Sequence, residues 1–326
     1  AVLISVTFGF AFNSVQSNTI CAAWEGAFGL DPHWIGVGLT ALTLLVIFGG
    51  IHRIARVSGV IVPVMALGYI LLALGIVLFN IRRLPEVLGL ILSEAFGWGP
   101  VLGGAAGAAL MQGIKRGLFS NEAGMGSAPN VAATAHVSHP VKQGLIQTLG
   151  VFTDTLLICT CSAMMVMVFW VQDPEAAMAL NGMPLVQMAV NNAVGEVGIH
   201  FITFAIFAFA FSSLIGNYFY GEMNMGFISK HPAALWIFRA LVVLMAFIGS
   251  VTELGLVWNL ADLFMALMAL VNLASIAIIG RYAYRALDDY IKQKKAGIEN
   301  PEFDPKCLGN MLGVQCWPRN KDEEIV

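Results

Sequence analysis

QGIKRGLFSNEAGMGSAPNVAATAHVSHPVKQG, residues 112–144, is a polar, glycine-rich passage set directly between two long apolar segments, 98–114 and 145–171. Those neighbours read as membrane helices, so Lys115, Arg116, Ser120, Asn121 and Glu122 fall inside the hydrocarbon slab or at its edge. Glycine at 117, 124 and 126 and proline at 129 argue against one unbroken helix. Within a bilayer, non-helical backbone survives only where protein or a water-filled cavity satisfies its N–H and C=O groups. A broken helix at this depth predicts a cavity, and with it a ligand or ion site.

The rest of the chain has the same character. Its 326 residues are 58% hydrophobic and only 11% charged, against about 25% charged in an average soluble domain. Mean hydropathy is +0.79. This is the composition of an all-α integral membrane protein whose partner is the lipid bilayer, since repeated apolar runs of about 20 residues suit spanning helices. With a net charge of −3 and no basic patch, nucleic acid is not an expected partner. The five cysteines show no metal-ligand spacing and read as structural: Cys21, Cys159 and Cys161 in spans, Cys307 and Cys316 in the tail. The opening AVLISVTFGFAF has no basic n-region and does not read as a signal peptide. It reads as the middle of a longer protein.

Eight spans are expected, at about 1–28, 34–50, 57–80, 98–135, 143–171, 199–221, 233–252 and 255–285, the fourth carrying the break. PEVLGLILSEAFG (85–97) and PLVQMAVNNAVGEVG (184–198) are too short to span and read as interfacial helices, and 172–183 as a loop. In the second short helix the apolar residues are Leu185, Met188, Ala189 and Val190. Loop charges set the orientation. Arg53, Arg56, Lys142, Lys230 and the basic residues after the last span all fall on one side, which the positive-inside rule makes cytoplasmic; Arg82 and Arg83 are the exception. The tail from Asp288 reads as a loose cytoplasmic extension.

Many transporters are built from two inverted repeats whose discontinuous helices form a midplane site. Five spans begin at the broken one, but only three precede it, so the repeat argument expects two more upstream of Ala1. The division is then 1–80 for the remainder of a first repeat, 81–285 for the second, and 286–326 for the tail.

GIKRGLFSNEAGMGSAPNVAATAHVSHPVKQGL, followed by FTDTLLICT, closely resembles the signature region of the alanine/glycine:cation symporter family of bacterial and archaeal amino-acid transporters. VQSNTICAAW, GGIHRIARVSGVIVPVMALGYI, FAFSSLIGNYFYGE and VWNLADLFMALMALVNL also look like that family, in its order, over about residues 5–285. The resemblance implies a leucine-transporter-type inverted-repeat bundle importing a small amino acid with Na+. The eight spans then correspond to the third to tenth core helices. The family's first helix, with its glycine-asparagine motif, is not in this chain.

The break exposes two half-helix ends of opposite sign, suited to a zwitterion and a cation. Phe119, Ser120, Asn121 and Met125 are expected to line that site, with Phe119 and Met125 as an apolar wall. Lys115, Arg116 and Glu122 read as intraprotein charge partners rather than ligands. The resemblance adds Gln16 as a substrate contact, although interhelical bonding by Gln16, Asn13 or Asn18 is the bland alternative. It also makes Ser212 and Ser213 the paired hydroxyls that hold Na+; serines bonding back to their own helix are the alternative. Asn217 stands where many members have tryptophan, a departure that changes pocket size or polarity. Asp154, with Thr153 beside it, is either a coupling-ion site or a brace for the break. Trp258 and Asp262 read as an outer gate, with an interface anchor the plainer reading of the tryptophan.

The reading is a secondary active transporter: Na+-coupled symport of alanine or glycine, with D-alanine as a further candidate, into a prokaryotic cell through its inner membrane. The protein is expected to be monomeric, with Na+ as coupling ion and no cofactor. An H+-coupled symporter of the same fold and a channel or non-transporting subunit are the competitors. Catalysis is not implied, since no nucleophile–base or metal-ligand constellation is present.

Overall fold

The computed structural model describes residues 1–49, 51–96 and 104–309. The opening of the expected fourth span, the side chains of Arg53 and Arg56, and the tail from 310 with Cys316 lie outside the described residues. The described chain is helical, and prolines punctuate it. Pro85, Pro129, Pro140, Pro174, Pro184 and Pro232 each stand in the first two positions of a helix, where the missing N–H costs nothing.

Helix α1, residues 2–28, contains a π-helical stretch, Thr7–Phe12, and ends at the left-handed Gly29. It is followed by α2 (Pro32–Gly49), α3 (Ile51–Phe79), the short α4 (Leu84–Ala95), α5 (Gly104–Asn121) and the single-turn α6 (Ala128–Ala132). Helix α7, residues 140–172, carries a second π-helical stretch at Thr153–Cys159. Then come α8 (Pro174–Met178), α9 (Met183–Val194), α10 (Glu196–Ile228), α11 (Pro232–Val251) and α12 (Leu254–Lys295).

Among the described residues five helices are long and apolar enough to cross a membrane: Gly59–Phe79, Pro140–Gln172, Glu196–Ile228, Pro232–Val251 and Leu254–Lys295. Pro32–Phe48 is apolar but shorter. Boundaries differ from expectation in three places. The loop at 172–183 contains α8, started by Asp173 accepting from Ala176 N–H. In α9 the buried side is Met183, Gln187, Ala189 and Val190, while Met188 is exposed. Gln187 is buried because its amide donates to Ala23 O at 2.7 Å and to Thr203 Oγ1 at 2.9 Å. Finally, α12 has 42 residues, about 63 Å at 1.5 Å per residue. It therefore outruns a hydrocarbon core of about 30 Å.

The chain forms two compact units: residues 1–120 with 154–267, and residues 121–153 with the chain from 268 onward. In the first, α1 is sandwiched by α10 and α11. Small residues permit the close approach. A Cβ on Gly249 would lie 2.4 Å from the Ser14 Cα, and one on Gly221 2.3 Å from the Phe238 ring, which also fills the space beside Gly9. Close backbones are what membrane helices use in place of a hydrophobic drive. Asn18 completes the seam by donating to Gly249 O and Thr252 O at 3.2 and 2.7 Å. Asn18 is thus the interhelical hydrogen bonder.

In the second unit the end of α12 is strapped to the start of α7. Phe303 and Leu308 are buried against Ala286 and Val141. Phe303 N–H donates to Ser138 O at 2.9 Å, the Ser138 hydroxyl to Pro301 O at 2.9 Å, and Arg285 to Leu308 O at 2.7 Å. The expected loose extension from Asp288 is therefore helix to 295 and docked chain to 309. His139 is fully buried beneath this strap, accepting from Val141 N–H and lying 3.3 Å from Asp289. Burial pushes its imidazole below the usual value, partly opposed by Asp289. A lowered folded pKa means the unfolded chain takes up more protons, so this stabilisation is present above the free-histidine value of about 6.5 and fades as pH falls below it.

Two outcomes follow from the packing. Gly249→Ala should lose about 1–3 kcal/mol of stability through overpacking, seen as a lower thermal midpoint in detergent, while Gly38→Ala, with open space around it, should not. The stability difference between wild type and His139→Gln should shrink as pH is lowered from 7.5 to 5.5, measured by the same melts.

Candidate functional site

The interruption of the fourth expected span lies where the sequence puts it. Helix α5 ends at Asn121, and the chain turns through Glu122 (φ 55°), Gly124 (φ 83°) and Gly126 (φ 89°) before α6. Gly117, also expected to weaken the helix, lies inside it. The left-handed geometry is natural for the two glycines and strained for Glu122, and such strain clusters at functional sites.

In the second unit side chains satisfy the exposed backbone of the turn. Asn272 on α12 donates to Gly124 O at 2.9 Å, and Asn130 to Gly126 O at 2.7 Å. Asn121 Oδ1 accepts from Ala123 N–H at 2.9 Å. Fully buried Ser127 donates to Glu122 Oε2 at 2.6 Å, and Met125 is buried among these groups. A Cβ on Gly126 would collide with Asn272 at 2.9 Å. Helix α6 has only 5 residues, so the strong positive end expected after the break is not built. The macrodipole needs several aligned turns.

In the first unit the last turn of α5 meets α1, α7 and α12. Arg116 pairs with Asp262, Lys115 lies 3.6 Å from the same carboxylate, and the guanidinium stands 4.4 Å from the Trp258 ring centre. Lys115 and Arg116 are thus charge partners, as their cost in a membrane requires. Phe119 packs at a tilt 4.7 Å from Trp258 and 4.7 Å from Phe12, Phe12 meets Phe8, and Phe8 meets Tyr220. Ser120 donates to Asp154 Oδ2 at 2.6 Å and lies 3.0 Å from the Cys159 thiol. Both of these partners lie in the π-helical stretch of α7. Such stretches recur at functional sites.

The remaining expected residues are placed as follows. Thr153 bonds back to Leu149 O at 2.9 Å and Ser212 to Phe209 O at 2.8 Å, while Ser213 is exposed. Gln16 is half-buried and makes no side-chain hydrogen bond among the described residues. Asn217 is buried, and its Nδ2 has no partner among the described residues. The structure brings Ser120 to Asp154, and Phe119 to Trp258 and the Arg116–Asp262 pair. Sequence reasoning gave no role to Asn272, Ser127 or Phe12 and read Cys159 only as structural. Asn272 carried a signal, being an amide in a long apolar helix, where polar groups have a partner or a job.

Long apolar helices, one interruption stitched by side chains, and charges that are paired among themselves mark a multi-pass membrane protein. The model of the sodium:alanine symporter family matches residues 1–305, and the chain belongs to that family. It is 49% identical over 318 residues to a probable sodium/glutamine symporter, GlnT, of Bacillus subtilis, covering 98% of this chain and 66% of that protein. It is 47% identical over 323 residues to the amino-acid carrier protein AlsT of the same organism, covering 99% and 68%. It is 36% identical over 267 residues to the sodium/alanine symporter AgcS of Methanococcus maripaludis, covering 82% and 58%. The chain thus spans about two thirds or less of the length of these relatives.

Asp262→Asn should leave Arg116 and Lys115 with a weaker partner, lowering the thermal midpoint and changing Trp258 fluorescence. Swapping the charges, Arg116→Asp with Asp262→Arg, should recover part of the loss. Additive damage in the double variant would show that the pair is not coupled.

Proposed function

We propose that this chain is the larger part of a Na+-coupled symporter of a neutral amino acid, alanine in the first instance, working by alternating access in a prokaryotic inner membrane. The family match over residues 1–305 carries the reading. The relatives' names add sodium, alanine and glutamine. The interrupted helix supports it from the physical side, because a stitched turn supplies polar groups at membrane depth without an unsatisfied backbone. Eight spans in a leucine-transporter-type repeat arrangement, divided at 80 and 285, with a cytoplasmic tail and a monomeric protein, complete the proposal.

In this reading Phe119, Ser120, Gln16 and Asn217 are the substrate contacts of the first unit and Asn121 and Met125 those of the second, while Ser212 and Ser213 offer hydroxyl oxygens to Na+, a hard cation that takes oxygen ligands. Asp154, held by Ser120, braces the end of α5. Thr153 and Asp154 are the second candidate for the coupling ion.

Uptake of labelled alanine by the full-length protein in proteoliposomes tests this. An inward Na+ gradient should drive accumulation, and internal alanine should accelerate entry, which a channel would not show. Uptake indifferent to Na+ would sink the coupling. Ser213→Ala should raise the half-saturating Na+ concentration at least about threefold, a coupling loss well within the usual range; an unchanged Na+ dependence would remove Ser213 from the site.

A further inference from the structure

The chain that follows α12 folds back on it and reaches the start of α7, and the groups that hold it there all belong to the second unit. Gln293 starts the strap. Its side chain donates to Glu302 O at 2.7 Å and accepts from Glu302 N–H at 3.0 Å, pairing with the backbone as a neighbouring strand would. Ser138 closes it: the hydroxyl donates to Pro301 O at 2.9 Å and accepts from Lys142 Nζ at 2.7 Å, and the carbonyl accepts from Phe303 N–H at 2.9 Å. Phe303 and Leu308 are buried where Ala286 of α12 meets Val141 of α7.

One imidazole sits at the centre of this clasp. His139 is 0% exposed, with the Tyr290 and Phe303 rings 5.1 and 5.2 Å from its own. Its Nδ1 accepts from Val141 N–H at 3.2 Å and so caps α7, which means that this nitrogen carries no proton. Its Nε2 then donates to Asp289 at 3.3 Å, and the same carboxylate accepts from Gln293 at 2.8 Å. A line of bonds therefore runs from the first turn of α7 through His139, Asp289 and Gln293 to the strap at Glu302.

A neutral imidazole satisfies every link. A second proton breaks the first link, because Nδ1 then points a donor at the Val141 N–H, and it places a cation in a sealed site. The titratable groups around the ring are Asp289 and Tyr290 from α12 and Lys142 from α7; the strap brings Phe303, with Glu302 and Asp304 exposed on either side of it. Burial, helped by Lys142, outweighs Asp289 and holds the imidazole below its usual value.

We propose that residues 296–309 form a proton-released strap: docked while His139 is neutral, it ties the start of α7 to the end of α12, and protonation of His139 frees it and slows transport. The strap stands on the contacts above, and its effect on transport rests on the reading of the chain as a symporter. Helix α7 follows the interruption, and α12 holds the interrupting turn through Asn272, so the docked strap keeps turn, α7 start and α12 in one unit. The direction follows from linkage. Undocked histidine titrates near 6.5 and docked histidine below that, so docking is favoured above pH 6.5 and weakens as pH falls, by at most about tenfold between pH 7.5 and 5.5.

Tryptic cleavage after Lys306, inside the strap, reads release, and cleavage after the exposed Lys230 just past α10 corrects for the pH dependence of the protease. For the full-length protein in detergent, the ratio of the two should rise at least about threefold from pH 7.5 to 5.5, within the linkage limit. His139→Gln keeps a donor and an acceptor but does not titrate, so its ratio should stay level across this range whatever its starting value. Phe303→Ala should give a high ratio at both pH values, which ties cleavage to docking. A wild-type ratio that stays level or falls in acid, or a His139→Gln ratio that rises as the wild type does, overturns the proposal. In proteoliposomes with equal pH on both faces, Phe303→Ala should lower alanine uptake at pH 7.5, and the wild type should lose a larger share of its uptake at pH 5.5 than His139→Gln. Uptake untouched by Phe303→Ala overturns the effect on transport. A pH-dependent ratio without Na+-driven uptake sustains the strap and sinks the symport reading.

Discussion

Every structural feature of the break depends on one constraint: in hydrocarbon, a backbone N–H or C=O that leaves the helix must find a partner within the protein. At the turn after Asn121, asparagines satisfy it. Asn272 and Asn130 hold the carbonyls of Gly124 and Gly126, and Asn121 accepts from Ala123 N–H. Because Asn272 sits on α12, the turn is tied to a helix about 150 residues further along the chain. The local interruption is therefore a tertiary feature, and α12 cannot move past the turn without exchanging these bonds.

The same economy governs the first unit. Glycines at 9, 221 and 249 bring α1 and α10 each against α11 so closely that a single Cβ would collide, and at that distance polar side chains reach across. Asn18, Ser14 and Gln187 each bond a carbonyl on another helix. Charges follow suit: Arg116 and Lys115 share Asp262, and Arg239 bonds Glu222 at 2.6 Å and the Tyr218 hydroxyl at 2.9 Å.

Much of this was legible in the chain. Apolar run lengths located the five helices of spanning length among the described residues, of eight spans expected, and Gly124, Gly126 and the cluster of polar residues around them located the break. The membrane cost of Lys115, Arg116 and Asp262 implied pairing before any partner was known. Other features were not legible. The extension of α12 to Lys295 was hidden because its last turns are polar and periodicity cannot separate a solvated helix from a loop. The docking of Phe303 and Leu308 was hidden because a tail of mixed composition has no pattern that names its partner. The π-helical stretches at Thr7–Phe12 and Thr153–Cys159 leave no sequence signature, and α6 proved too short for the dipole assigned to it.

What the sequence alone determined is the solvent the protein lives in, its all-helical class, and the place where one helix must break. Hydropathy, proline and glycine act over neighbouring residues, and their effects can be read locally. Only the tertiary structure decided which groups meet: Asn272 at Gly124, Asp154 at Ser120, and Asp262 at Arg116. Those pairings depend on which faces of distant helices pack together. Close packing of small residues sets that, and chain order does not record it.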